Sequence, residues 1–100
     1  MVYTYVLDER GNPVPESDLV KWSVWFGNSD RRIAYEEIGS VIISTVFLGA
    51  DHSPGRGKPV LYETMIFGGE HDRYKRQYTT RERAIRGHLD AIILVRGGTL

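Results

Sequence analysis

Two apolar runs separated by one breaker-rich loop constrain this chain most. Val41 to Ala50 and Val60 to Phe67 are rich in branched and aromatic residues, as β-strands are. Between them, Ser53-Pro54-Gly55-Arg56-Gly57-Lys58-Pro59 is too dense in glycine and proline for regular structure. The arrangement predicts an antiparallel hairpin, around which the rest of a short chain must organise itself. Polar residues interrupt the hairpin at Ser44, Thr45, Asp51, His52, Glu63 and Thr64. A strand of ordinary propensity would be aliphatic throughout, so function is to be sought in and beside these strands.

The flanking segments supply the other elements. Val2 to Leu7 reads as a strand closed by the turn chemistry of Asp8 to Pro13. Pro15 to Asp18 marks a helix start, with Leu19, Trp22 and Phe26 at core-facing helical spacing until Gly27-Asn28 stops the helix. Arg31 to Ile38 is a further strand, turned by Gly39-Ser40 into the hairpin. Gly68-Gly69 ends the hairpin, and Arg73 to Tyr78 makes a short polar strand. Thr79 or Thr80 then caps a helix from Arg81 to Val95, with Ala84, Ile85, His88, Leu89, Ile92 and Val95 forming its apolar side. The expected order is β-α-β-β-β-β-α, an α+β fold in which both helices pack on one face of an antiparallel sheet. Residues 1–96 form a single domain and 97–100 a disordered tail.

One hundred residues are enough for one domain but few for a deep site within a single protomer, so a surface cleft or a subunit boundary is expected. Thirteen acids balance thirteen Lys and Arg, which argues against a general binder of long nucleic acid or anionic membrane. The basic residues nevertheless crowd together at Arg73, Lys75, Arg76, Arg81, Arg83 and Arg86, a patch suited to a small anion. The chain lacks cysteine, which removes disulfides, zinc-thiolate sites and thiol nucleophiles. No apolar run approaches a membrane span and no signal-peptide pattern opens the chain, so a cytoplasmic location is expected. Two tryptophans, six tyrosines and a long apolar strand exceed what one small core needs, and a homo-oligomer, a dimer or a multiple of dimers, follows as an expectation.

Arg76, Arg83 and Arg86 offer planar forks for phosphate, the start of the last helix offers free backbone N–H groups for an anion, and Phe47 and Tyr78 are faces for a base. Asp51, His52 and His88 are candidate hydrogen-bonding groups for a ribose or a base edge. Structural alternatives stand beside each: Asp51 as a cap of the hairpin loop, His88 as a satisfied core histidine, the arginines as a solvated face. Gly87 in mid-helix costs about 1 kcal/mol against alanine, so something needs the space. A second function class is a small hydrolase, metal-dependent or acid/base, using Glu63, Asp51 and His88. A third is a structural or protein-binding module. The preferred ligand site needs neither a metal nor an organic cofactor, because histidines at ligand spacing are absent.

At these residues the chain resembles a family of small phage proteins. The shared motifs read Ser44 to His52, Glu63 to Phe67, then Gln77-Tyr78-Thr79-Thr80 and Ala84 to His88, and the likeness covers roughly Trp22 to Leu94. Gln77 stands where the family pattern carries arginine. The pattern is also similar to the anti-Thoeris sponges, phage proteins that sequester cyclic ADP-ribose signals of bacterial TIR immunity. That resemblance implies an oligomeric α+β protein in the host cytoplasm. It would bind a cyclic nucleotide, a cyclic ADP-ribose isomer or a cyclic oligonucleotide, through arginines and an aromatic and without turnover.

Overall fold

The computed structural model describes residues 3–53 and 57–97. The expectations for Val2, for Pro54 to Arg56 and for Gly98 to Leu100 lie outside those residues. The chain is α+β, with a two-stranded and a four-stranded antiparallel sheet and two helices.

The N-terminal strand is half of a ribbon rather than a single strand. β1 (Tyr5–Leu7) pairs with β2 (Pro13–Pro15), and the Asp8 carboxylate closes the turn by accepting from the backbone N–H groups of Arg10 and Asn12, each at 2.9 Å. Pro-Val-Pro reads as a breaker in sequence, but a two-stranded ribbon has open edges on which proline is tolerated. α1 (Leu19–Asn28) follows, capped by Asp18, whose side chain accepts from Val20 and Lys21 N–H. Trp22, Trp25 and Phe26 turn inward, whereas Leu19 is exposed, against the expectation that it joins the core.

β3 (Arg32–Ile38), β4 (Val41–Phe47), β5 (Tyr62–Phe67) and β6 (Lys75–Tyr78) form a simple meander in that spatial order. Directly opposed residues share a face. One face carries the buried rows Phe47/Tyr62/Tyr78, Thr45/Thr64 and Ile43/Ile66. α2 (Arg81–Val95) covers it, touching all four strands, and matches the expected boundaries. Thr80 caps α2 by accepting from Arg83 N–H at 3.1 Å, and Gly97, assigned in sequence to the tail, closes its end at φ 83° with its N–H on the Leu94 carbonyl. The other face of the meander holds Ser44, Val46, Glu63 and Met65, half-buried, and Phe67, exposed.

α1 sits at the end of the covered face, on the ribbon, and meets the main sheet through Trp25, whose ring stands edge-on to Phe47 at 5.9 Å. The Trp22 indole N–H is shared between the carbonyls of Tyr5 at 3.1 Å and Gly49 at 2.9 Å. Gly49 adopts φ +76°, and a Cβ there would press on the Phe26 ring at 3.0 Å. Past β4, therefore, the chain bridges the two sheets, with Tyr5 N–H bonded to the Gly49 carbonyl and Asp51 N–H to that of Tyr3.

α2 meets the sheet through small residues. Ala84, Gly87 and Ala91 are buried with His88, whereas Ile85 and Leu89, expected in the core, are exposed. The Tyr78 phenol occupies the space over Gly87 that a Cβ would take. Close helix-on-sheet packing thus accounts for the mid-helix glycine. Gly87→Ala should gain up to about 1 kcal/mol of helix propensity but lose more to overpacking, for which insertions cost about 1–3 kcal/mol. Since the overlap is with a rigid ring, a net loss is expected, measured as a lower midpoint in denaturant unfolding. A variant at least as stable as wild type would show that the phenol is free to move aside.

Candidate functional site

β6 is an edge strand and α2 crosses beside it, so the side chains of both elements wall a surface cleft of about 420 Å³. Four of the residues singled out in sequence, Arg76, Tyr78, Arg83 and Arg86, line it together. Arg76 comes from β6, while Arg83 and Arg86 come from successive turns of α2, three residues apart and hence on nearly one side of the helix. Gly87 and Asp90 extend that stripe along the cleft. Three guanidinium groups face one carboxylate, so the lining is net positive.

The arginines are not equivalent. Arg76 pairs with Asp90 at 3.4 Å and lies over the Tyr78 ring with its guanidinium carbon 5.6 Å from the centroid. Arg83 and Arg86 are exposed, and among the described residues no carboxylate forms a salt bridge with them. They are the forks available to an incoming anion. Beside them, the Tyr78 hydroxyl is buried without a hydrogen-bond partner, and burial raises its pKa above the usual phenol value. The phenol therefore stays neutral and brings no negative charge to the cleft.

The remaining sequence-predicted residues lie elsewhere. Phe47 is fully enclosed in the core among Trp25, Tyr62 and Ala84, so no base can stack on it. The Tyr78 ring is likewise buried, sandwiched rather than offered as a platform. The Asp51 carboxylate accepts from Ser53 and Val60 N–H, both at 2.9 Å, and so clamps the two ends of the hairpin loop, its structural alternative. His52 is exposed and approaches Gln77 at 3.4 Å, while the Gln77 amide donates to Glu63 at 2.9 Å. Gln77 thus serves as the partner of a carboxylate.

His88 is a core histidine. Its Nδ1 lies 2.8 Å from Thr45 Oγ1, which lies 2.5 Å from Thr64 Oγ1. A neutral ring accepting from Thr45, with Thr45 accepting from Thr64, satisfies both buried hydroxyls. A threonine hydroxyl is thus the partner that satisfies the His88 ring nitrogen. Burial lowers the His88 pKa, opposed by the charge of Glu36.

The hairpin register decides the fate of the acid/base pair. The strands pair Val46 with Glu63 and Phe47 with Tyr62. A shift of one residue moves a side chain to the other face. Glu63 therefore stands on the open face and His88 beneath the covered one, with the sheet between them. Asp90, which sequence reasoning did not single out, is the carboxylate that lines the cleft; its seven-residue spacing from Arg83 was the available signal.

Among the described residues no helix is long and apolar enough to cross a membrane. No family model, curated protein or solved structure matches the chain.

The lowered pKa of His88 makes a pH prediction. Above the ordinary value of about 6.5 the ring is neutral in both folded and unfolded chains. Below it the unfolded chain takes up a proton that the folded one resists, so stability falls as pH drops toward the folded-state pKa, by up to about 1.4 kcal/mol per pH unit. Urea unfolding at pH 7.5 and pH 5 should show a smaller acid loss in His88→Gln than in wild type. Equal losses would remove His88 as the cause.

Proposed function

We propose that the protein binds a small phosphate-bearing ligand, a nucleotide by class, in the cleft between β6 and α2 and holds it without turnover. One observation carries this reading: Arg83 and Arg86, free of carboxylate partners among the described residues, share a concave site with Arg76. Guanidinium forks recognise phosphate through paired, charge-assisted hydrogen bonds. The residues of the cleft support a reading of binding without chemistry. Its one lining carboxylate, Asp90, is engaged by Arg76, and Glu63 and His88 are separated by the sheet.

Cyclic ADP-ribose isomers and cyclic oligonucleotides, the class implied by the resemblance to phage sponges, carry the charge this cleft complements. Sequestration of such a signal works by mass action and requires a dissociation constant below about 1 μM, roughly −8 kcal/mol. The cleft supplies the phosphate contacts of that affinity. With Phe47 and the Tyr78 ring enclosed, contacts to a base would come from the rim.

Titration calorimetry with a panel of cyclic nucleotides, followed by heat release and chromatography of the bound material, tests the proposal. Intact ligand is the expected product; altered ligand would indicate an enzyme. Arg83→Ala and Arg86→Ala should each weaken binding by about 1.5–3 kcal/mol, the range for hydrogen bonds to charged groups, with unfolding midpoints unchanged because both side chains are exposed. If both variants bind as wild type does, or if no nucleotide binds at all, the arginines form an ordinary solvated face.

A further inference from the structure

The outer side of α2 carries an apolar ridge without a partner inside the protomer. Ile85, Leu89 and Ile93 are 36%, 55% and 44% exposed, and they bound a shallow groove with Glu82, Arg86 and Asp90. At 100° per residue, Ile85 and Ile93 lie within about 40° of Leu89 around the helix, and Glu82 and Arg96 within about 20°. The ridge is a palindrome in chemical type: isoleucine four residues to either side of Leu89, and opposite charges seven residues to either side, Glu82 in the first turn and Arg96 at the C-cap.

We infer that this ridge is the seam of a two-fold homodimer in which α2 packs antiparallel against α2 of a second copy, with Leu89 on the axis. A two-fold operator makes a patch meet itself. An antiparallel helix pair centred on Leu89 sets Leu89 against Leu89, Ile85 against Ile93, and Glu82 against Arg96 of the other copy, so the three apolar residues of the ridge meet one another and the two charges at its ends meet their opposites. Centring the pair elsewhere on the ridge breaks this match. The exposed Leu19, Val20 and Val24 of α1 show no such symmetry, since Lys21 is the one charged residue of that helix. Glu82 and Arg96 also complement the helix dipole where they stand, acid at the start and base at the end, which favours the antiparallel pairing of the two helices.

The seam borders the cleft, because Arg86 and Asp90 line both. The two-fold axis would place the two clefts of the dimer on the same side, flanking the helix pair. The dimer itself does not depend on what the cleft binds.

Sedimentation velocity of the full chain between about 1 and 100 μM should show reversible dimerisation, with neighbouring rims adding to an area that a single helix pair leaves below the roughly 800 Å² per partner of stable interfaces. Leu89→Arg sets two like charges on the axis and should raise the dissociation constant by about tenfold or more. Circular dichroism should confirm that the protomer is still folded. The absence of cysteine allows a test of register by mild oxidation. Leu89→Cys should form a symmetric disulfide dimer. Ile85→Cys alone should not, since the two copies of that residue lie about 12 Å apart along the seam, but it should cross-link when mixed with Ile93→Cys. A monomer at every concentration, a dimer indifferent to Leu89→Arg, or cross-linking of Ile85→Cys in preference to Leu89→Cys would each overturn the inference.

Discussion

The contact between the Tyr78 phenol and Gly87 sets the distance at which α2 lies on the sheet. With Ala84 and Ala91 it lines the centre of the helix's inner face with small residues, so the fully buried large side chains come from the strands, Phe47, Tyr62, Tyr78, Ile43 and Ile66, while half-buried Ile92, Leu94 and Val95 of α2 close the core near the helix end. It also explains the geometry of the cleft. A helix held close to an edge strand leaves Arg83 and Arg86 level with Arg76 rather than stranded above it.

The same close approach places a polar cluster, Thr45, Thr64 and His88, between two apolar ones. Buried hydroxyls cost free energy unless paired, and here each has a partner. A chain of hydrogen bonds linking β4, β5 and α2 fixes how far the helix can slide, since displacement by a residue would part His88 from Thr45 and leave the ring nitrogen and one hydroxyl proton of the threonine pair without a partner. Apolar packing supplies affinity between helix and sheet, and the polar chain supplies registry.

How much of this was legible in sequence depends on whether the signal was local. α2 was read to its observed ends because a threonine cap and helical spacing act within a few residues. The meander followed from glycine turns and branched residues. Three features required long-range information. β2 was missed because proline marks a break unless the strand is an open edge. The separation of Glu63 from His88 by the sheet was not legible because loop length does not set hairpin register to within one residue. Leu19, Ile85 and Leu89 were placed in the core because an apolar stripe tells which residues avoid water but not which neighbour covers them. Of the candidate site residues, Arg76, Tyr78, Arg83 and Arg86 line one cleft, whereas Phe47 is enclosed in the core and Asp51, His52 and His88 lie outside the cleft. An aromatic on a strand is equally suited to stacking a ligand and to filling an interior, and sequence offers no means of choosing.

Both tryptophans of the chain belong to α1: Trp22 points at the ribbon and Gly49, and Trp25 stands on Phe47 at the end of the covered face. The intrinsic fluorescence of this protein is therefore a regional signal. It reports how α1 and the ribbon dock around Gly49, while the meander and α2, which hold the polar chain and the cleft, are read by circular dichroism and amide exchange. Where the docked region opens before the rest, fluorescence and circular dichroism will trace separate transitions, and their coincidence or divergence measures how far a hundred residues behave as one cooperative unit.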